Sequence, residues 1–171
     1  VIEAYWLFDL QPDQIEALIH PQQALHGMVY FRDGSVVAQL AGPDMRTPIS
    51  YALAWPERLH WAAERLDLTA MKQLTFTSVD TRRFPCFALA RQALCEGGAA
   101  PAVLNAANEV AVAAFLQEKI GFTQIPAIVE TVLAQAKNPA IDQLDLVMAV
   151  DADARQLAAE AVTKNRRYMS V

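Results

Sequence analysis

The sequence predicts an α+β protein: a β-hairpin accompanied by short helices, followed by a four-helix bundle-like domain. Three observations carry this. Asp33-Gly34 lies between two strand-like runs, HGMVYF and SVVAQL; an Asp-Gly pair is a strong hairpin signal because both central residues of a type I′ turn need φ > 0. From Asp80 onward, apolar residues recur at helical spacing. Between these regions, residues 55–80 show no period and carry Trp55, Pro56 and Trp61. The expected division is residues 1–54, a connecting segment at 55–80, and a helical domain at 81–171.

In chain order, VIEAYWLF (1–8) reads as the end of a helix, which suggests a fragment or a processed product. A short helix is expected from about 12 to 19, stopped by His20-Pro21, because the residue before proline avoids the helical region. A two-residue loop at Asp33-Gly34 would pair Phe31 with Val36, Val29 with Ala38 and Gly27 with Leu40 on an apolar face. Tyr30 with Val37, Met28 with Gln39 and His26 with Ala41 would form a mixed face. A hairpin alone is marginal and seeks further strands or another subunit at its edge. ISYALA (49–54) reads as a helix ending before Pro56, and Trp55 and Trp61 are expected to pin the following connection by packing. LTFTS (74–78) is strand-like.

Pro85 suits the first turn of a helix ended by Gly97-Gly98, with Phe87, Ala90 and Leu94 inward. A second helix covers 101–119, with Leu104, Ala107, Ala111, Ala114 and Phe115 on one face. Thr123 is expected to cap a third, burying Ile125, Ile128, Val129, Val132 and Leu133, and Asn138-Pro139 ends it. Asp142 is expected to cap a fourth, running to about Asn165 with a Val147, Val150, Ala154, Leu157, Ala161 stripe. Lys164, Arg166 and Arg167 suit its last turn, where positive charge opposes the helix dipole.

The composition narrows function. With 54% apolar residues over 171 positions, a core is available. A net charge of −5 argues against nucleic-acid binding, which needs a basic face. No window reads as a signal peptide or membrane span, and a cytoplasmic protein is expected. Cys86 and Cys95 would lie on opposite sides of one helix, roughly 13 Å apart along its axis, too far for a disulfide. Both are expected to be buried in a reducing compartment.

Candidate chemistry is sparse. His26 on the mixed face could contact substrate or handle protons, or could simply bond a neighbouring carbonyl. His20 reads as a turn or packing residue. Pro43-Asp44-Met45-Arg46-Thr47-Pro48 is either a rigid loop with Asp44 capping the next helix, or a ligand wall built from Pro43 and Met45. Glu3 could support a metal site, but one carboxylate is no site, and a surface or paired glutamate is the plainer alternative. Asn105, Asn108 and Glu109 share a helical face and could hold ligand hydroxyls or bond a neighbouring loop. Arg82-Arg83 is a phosphate candidate or a solvated pair. The sequence lacks a glycine-rich phosphate loop, a Cys or His set at metal spacing and a Gly-x-Ser-x-Gly elbow. By itself it is not expected to catalyse a reaction; a non-catalytic helical and dimerisation module is the alternative.

Longer strings point further. LIHPQ (18–22), HGMV (26–29), DGS (33–35), AQL (38–40), PDMRTP (43–48), AWP (54–56), LNAANE (104–109) and VDA (150–152), in this order, resemble 1-deoxy-D-xylulose 5-phosphate reductoisomerases. The resemblance covers essentially the whole chain. It implies a protein with an N-terminal NADPH-binding domain, a central catalytic domain and a C-terminal helical bundle, of which this chain is the last portion. It implies NADPH and Mn²⁺ or Mg²⁺ in the parent enzyme, none bound by this piece alone, and no cofactor-binding or metal-ligating residue here. The implied reaction converts 1-deoxy-D-xylulose 5-phosphate to 2-C-methyl-D-erythritol 4-phosphate, the fosmidomycin-sensitive step of non-mevalonate isoprenoid synthesis. The last metal ligand would sit immediately before Val1. The resemblance makes His26, Pro43 and Met45 pocket residues and Glu3 a neighbour of the metal site. It also implies a homodimer joined through the hairpin sheet, acting on a sugar phosphate, with no nucleic-acid or membrane partner.

Overall fold

The computed structural model describes residues 1–62 and 64–166. Its elements divide between two compact units, Leu18–Val79 and a helical unit made of Val1–Ala17 with the chain from Asp80 onward.

The helical unit opens with α1 (Ile2–Phe8) and a 3-10 turn at Pro12–Gln14. The short helix expected over 12–19 is thus only this turn. Ile15 is already extended (φ −109°, ψ 111°), and Leu18–Ile19 form a strand. The turn is closed by Gln11 and Gln14, the Gln14 Oε1 accepting the Gln11 N–H at 2.7 Å. After the second unit the chain returns as α4 (Pro85–Glu96), α5 (Ala100–Leu116), α6 (Gln124–Gln135) and α7 (Leu144–Arg166). Proline starts α4, and Gly97, at φ 64°, ends it as the sequence suggests.

The core lies among α5, α6 and α7. Val103, Ile128, Val129 and Val132 are fully buried, and Ala106, Ala107, Ala111, Ala154 and Ala158 line the seams. Alanine at these positions lets helix backbones approach closely. The inward face of α6 falls where the periodicity puts it, with Leu133 partly buried at its margin. On α4 the buried residues are Leu89, Ala93 and Leu94, so Phe87 and Ala90 are only half-buried. Cys95 is exposed rather than buried, because that stripe turns it outward; Cys86 is half-buried, and burial raises its thiol pKa.

Two expected caps are replaced. The Thr123 side chain makes no cap bond; the Gln124 and Ile125 N–H groups donate to the Gly121 and Phe122 carbonyls (3.0 and 3.2 Å), and the Gln124 Oε1 accepts the Gly121 N–H at 2.7 Å. Asp142 lies outside the first turn of α7, which starts two residues later at Leu144. The start of α5 is capped from a distance: Asn138 Oδ1 accepts the Ala100 N–H (3.0 Å), and the Pro139 carbonyl accepts the Ala99 N–H (3.0 Å). Of the basic residues placed in the last turn of α7, Arg166 ends the helix and Arg167 lies outside the described residues.

The second unit holds β1 (Leu18–Ile19), β2 (Leu25–Tyr30), β3 (Val36–Leu40), α2 (Arg46–Ala54), α3 (Leu68–Met71) and β4 (Thr77–Ser78). β1 pairs with β4 and β2 with β3, both antiparallel. The stretch at 55–80 therefore contributes a helix and a strand. Asp67 caps α3 by accepting from the Thr69 and Ala70 N–H groups. Trp61 is half-buried, but Trp55 is 71% exposed and pins nothing by packing.

The hairpin forms with a shifted register. Tyr30 faces Val36, Val29 faces Val37 and Met28 faces Ala38. The loop has three residues, not two. Gly34 (φ 85°) is left-handed but Asp33 is not, and the bonds Phe31 N–H to Ser35 O (2.9 Å) and Gly34 N–H to Phe31 O (3.0 Å) close it. This is a type I turn followed by a glycine bulge. Asp33 favours it because its Oδ1 accepts from both the Ser35 N–H (2.9 Å) and Oγ–H (2.6 Å), which holds its carboxyl pKa below the ordinary value. The one-residue shift exchanges the two faces of β3.

Candidate functional site

The site is built at the base of the hairpin. Near the end away from the turn, Leu25 faces Leu40 while Gly27 faces Gln39, leaving His26 as one extra residue in β2. Such a bulge re-aims its side chain. The exposed His26 ring turns to the strand end opposite, where its Nε2–H donates to the Ala41 carbonyl at 3.1 Å. In the neutral ring this leaves Nδ1 as an acceptor. Ala41 is itself fixed, its N–H donating to the Ala24 carbonyl at 3.0 Å.

The chain then runs through Gly42 and Pro43 into α2. The Asp44 N–H donates to the Gly42 carbonyl (2.8 Å), and the Asp44 carbonyl accepts from the Thr47 N–H (3.2 Å). Asp44 accepts the Arg46 backbone N–H (2.9 Å) and grips its guanidinium, with Nη2 to Oδ2 at 2.6 Å and Nε to Oδ1 at 3.0 Å. Bonding to Arg46 lowers the Asp44 pKa and raises that of Arg46. The guanidinium also lies 4.9 Å from the Trp61 ring centroid. These bonds leave Pro43 exposed and Met45, the N-cap residue of α2, 71% exposed. His26, Pro43 and Met45 thus sit on one short, braced path: one imidazole and two apolar groups.

Glu3 belongs to the helical unit, exposed in the first turn of α1, where a carboxylate complements the helix dipole. His20 is a packing residue in the β1–β4 region: it stacks on Phe76 at 4.7 Å, and its Nδ1–H donates to the Thr75 carbonyl at 2.9 Å. Its buried Nε2 has no hydrogen-bond partner among the described residues. Glu109 turns to α7 instead of a loop, its Oε2 pairing with Arg155 Nη2 (2.7 Å), while Asn105 Nδ2 donates to Glu109 Oε1 (3.1 Å) within α5. Arg82 sits 3.6 Å from Asp80, and the Arg83 guanidinium lies 5.8 Å from the Phe84 ring.

Sequence reasoning set His26 opposite Ala41 and weighed a bond to a neighbouring carbonyl, which is the bond found; it missed the contact of Trp61 with Arg46, because a contact across 15 residues leaves no local signal. Among the described residues, no three His, Cys, Asp or Glu side chains converge to hold a metal ion. The arrangement can wall a polar ligand and offer it one imidazole.

Residues 40–157 match the family described as DXP reductoisomerase C-terminal domain. The chain belongs to that family. It is 58% identical over 164 residues to the 1-deoxy-D-xylulose 5-phosphate reductoisomerase of Burkholderia multivorans, covering 96% of this chain and 41% of that protein. The Pseudomonas aeruginosa reductoisomerase is 54% identical over 165 residues, covering 96% and 42%. Among solved structures, the Zymomonas mobilis reductoisomerase in complex with NADPH superimposes with a TM-score of 0.86 at 48% identity, covering 94% of this chain and 42% of that one. A reductoisomerase in complex with NADPH, fosmidomycin and magnesium also gives 0.86, at 39% identity with the same coverage. The chain spans about two fifths of the length of these reductoisomerases.

Proposed function

We propose that this chain is the C-terminal portion of an NADPH-dependent reductoisomerase that converts 1-deoxy-D-xylulose 5-phosphate to 2-C-methyl-D-erythritol 4-phosphate in the cytoplasm. The observation that carries the reading is the 58% identity to such an enzyme across 96% of the chain. In this reading residues 1–54 complete the catalytic and dimerisation domain, 55–80 connect, and 81–171 form the C-terminal helical domain.

The roles follow from the chemistry available. His26 meets the sugar phosphate through its imidazole, while its Nε2–H stays on the Ala41 carbonyl. Pro43 and Met45 supply the apolar wall that excludes water from the reacting carbons. Glu3 lies beside the metal site, whose ligands come from elsewhere in the enzyme. A magnesium ion and NADPH accompany solved relatives, but neither fits the residues of this chain alone. Its described residues form no carboxylate or histidine cluster, and its sequence has no glycine-rich phosphate loop. The chain alone is therefore expected to have no turnover.

The test is a chimera in which this chain replaces the matching portion of the Burkholderia multivorans enzyme, assayed by substrate-dependent NADPH oxidation with Mg²⁺ or Mn²⁺. Activity in the chimera with none from the isolated chain supports the reading. A folded but inactive chimera overturns the assignment and favours a non-catalytic dimerisation module. Turnover by the isolated chain overturns the account of the missing groups.

A further inference from the structure

We infer that Arg91 is a positioning residue that sets the orientation of α1, and with it Glu3, from the helical bundle. The inference rests on the functional reading above only for what Glu3 does; the anchoring itself stands on the geometry of one compact unit.

α1 touches α4 directly, but that contact is slight. It has no buried residue and no side-chain cap, and Trp6, Leu7 and Phe8 are all about 70% or more exposed. Seven residues make a helix too short to persist in isolation. Something outside it must fix its direction. The apolar part of that anchor is Ile15, buried to 9% exposure. The polar part comes from α4. Arg91 Nη1 donates to the Ile15 carbonyl at 2.7 Å, and Nη2 donates to the Pro12 carbonyl at 3.0 Å. Among the described residues, these are the only hydrogen bonds that join residues 1–17 to the helices that follow Asp80.

The geometry suits arginine and no other cation. The two carbonyls belong to residues three apart around a 3-10 turn, and a planar guanidinium reaches both with two nitrogens at once. A lysine ammonium offers a single point and can satisfy one of them well. The guanidinium also lies 6.0 Å from the Phe87 ring centroid, one turn earlier on α4, which restrains its swing. Arg91 is half-buried, so these charge-assisted bonds are partly shielded from water. Removing them frees the 3-10 turn to rotate, and α1 is joined to that turn by only three residues, Asp9, Leu10 and Gln11.

Hydrogen exchange on the isolated chain tests the anchoring. In Arg91→Met, the Tyr5 and Leu10 amides, bonded to the Val1 and Tyr5 carbonyls, should exchange roughly tenfold faster or more. The α5 and α6 amides should be unchanged, which shows that the bundle still folds. Arg91→Lys should fall between. Unchanged exchange of the α1 amides in Arg91→Met, with the bundle intact, overturns the inference. In the active chimera, Arg91→Met should raise the Mg²⁺ concentration for half-maximal rate roughly tenfold while the KM for NADPH holds. An unchanged Mg²⁺ requirement there overturns the link to Glu3. A chimera inactive before any substitution is a failure of the functional reading and leaves the exchange result to decide on Arg91.

Discussion

Gly98 tolerates no side chain. Its φ is 55°, and a Cβ there would come within 2.7 Å of Asn138 Oδ1 and 2.8 Å of the Pro139 carbonyl. Those are the atoms that cap α5, so the clash and the lost cap act together. Gly98→Ala should lower stability by about 1–3 kcal/mol, read as a reduced urea midpoint with unchanged slope; an unchanged midpoint would mean that the α6–α7 loop yields freely. His26 presents the opposite case. It is exposed, and its one bond is to a backbone carbonyl, so replacing it should cost little stability. In the complete enzyme, His26→Gln should lower kcat/KM roughly 100-fold at an unchanged melting temperature. Steady-state kinetics that match the parent would remove His26 from the pocket. The sequence made His26 a candidate because it carried a titratable ring onto a mixed strand face. It hid the bulge, since an extra residue in a strand leaves no compositional mark.

At the scale of elements, punctuation was readable and fine geometry was not. Pro85 and Gly97 bound their helix as their backbone chemistry requires, whereas α6 ends at Gln135, with Ala136 already extended, ahead of the Asn138-Pro139 pair expected to stop it. The caps were misread because the groups that satisfy the helix starts are not the local Thr and Asp. The first N–H groups of α6, those of Gln124 and Ile125, go to the Gly121 and Phe122 carbonyls, and Asn138 serves α5 across 38 residues. The hairpin was legible from Asp33-Gly34, while its register turned on a side-chain bond from Asp33 to Ser35 that the two-residue reading ignored. The seam between α5 and α7 has its own consequence. Bonds from Arg155 and then Asn105 hold the Glu109 carboxyl below its ordinary value of 4.5, and Arg155 is raised in turn by Asp151 and Glu109. A carboxylate depressed in the native state contributes stability above the unfolded value, and that contribution fades as pH falls through the native value. Glu109→Gln should therefore flatten the acid limb: urea midpoints of parent and variant differ near pH 6 and converge as pH drops below about 4.5. A constant difference across that range would show that the pair does not titrate as a unit.

For the whole molecule, the exposed apolar side chains of the hairpin, among them Val29, Tyr30, Val36 and Val37, sit on a two-stranded sheet. Unpaired strand edges of this kind recruit further strands. The chain should self-associate, and Val37→Lys should weaken the dimer in sedimentation velocity; a strictly monomeric parent at high concentration would sink the hairpin interface. The bond from Arg91 to Ile15 spans 76 positions of sequence, so the helical unit is written in two parts with the hairpin unit between them. On the ribosome this becomes a delay. At roughly 5–20 residues per second, Arg91 is synthesised about 4–15 s after Ile15. For those seconds Ile15 leaves the exit tunnel with no bundle to rest against, and the nascent chain offers chaperones an apolar side chain that is covered only once the later helices arrive.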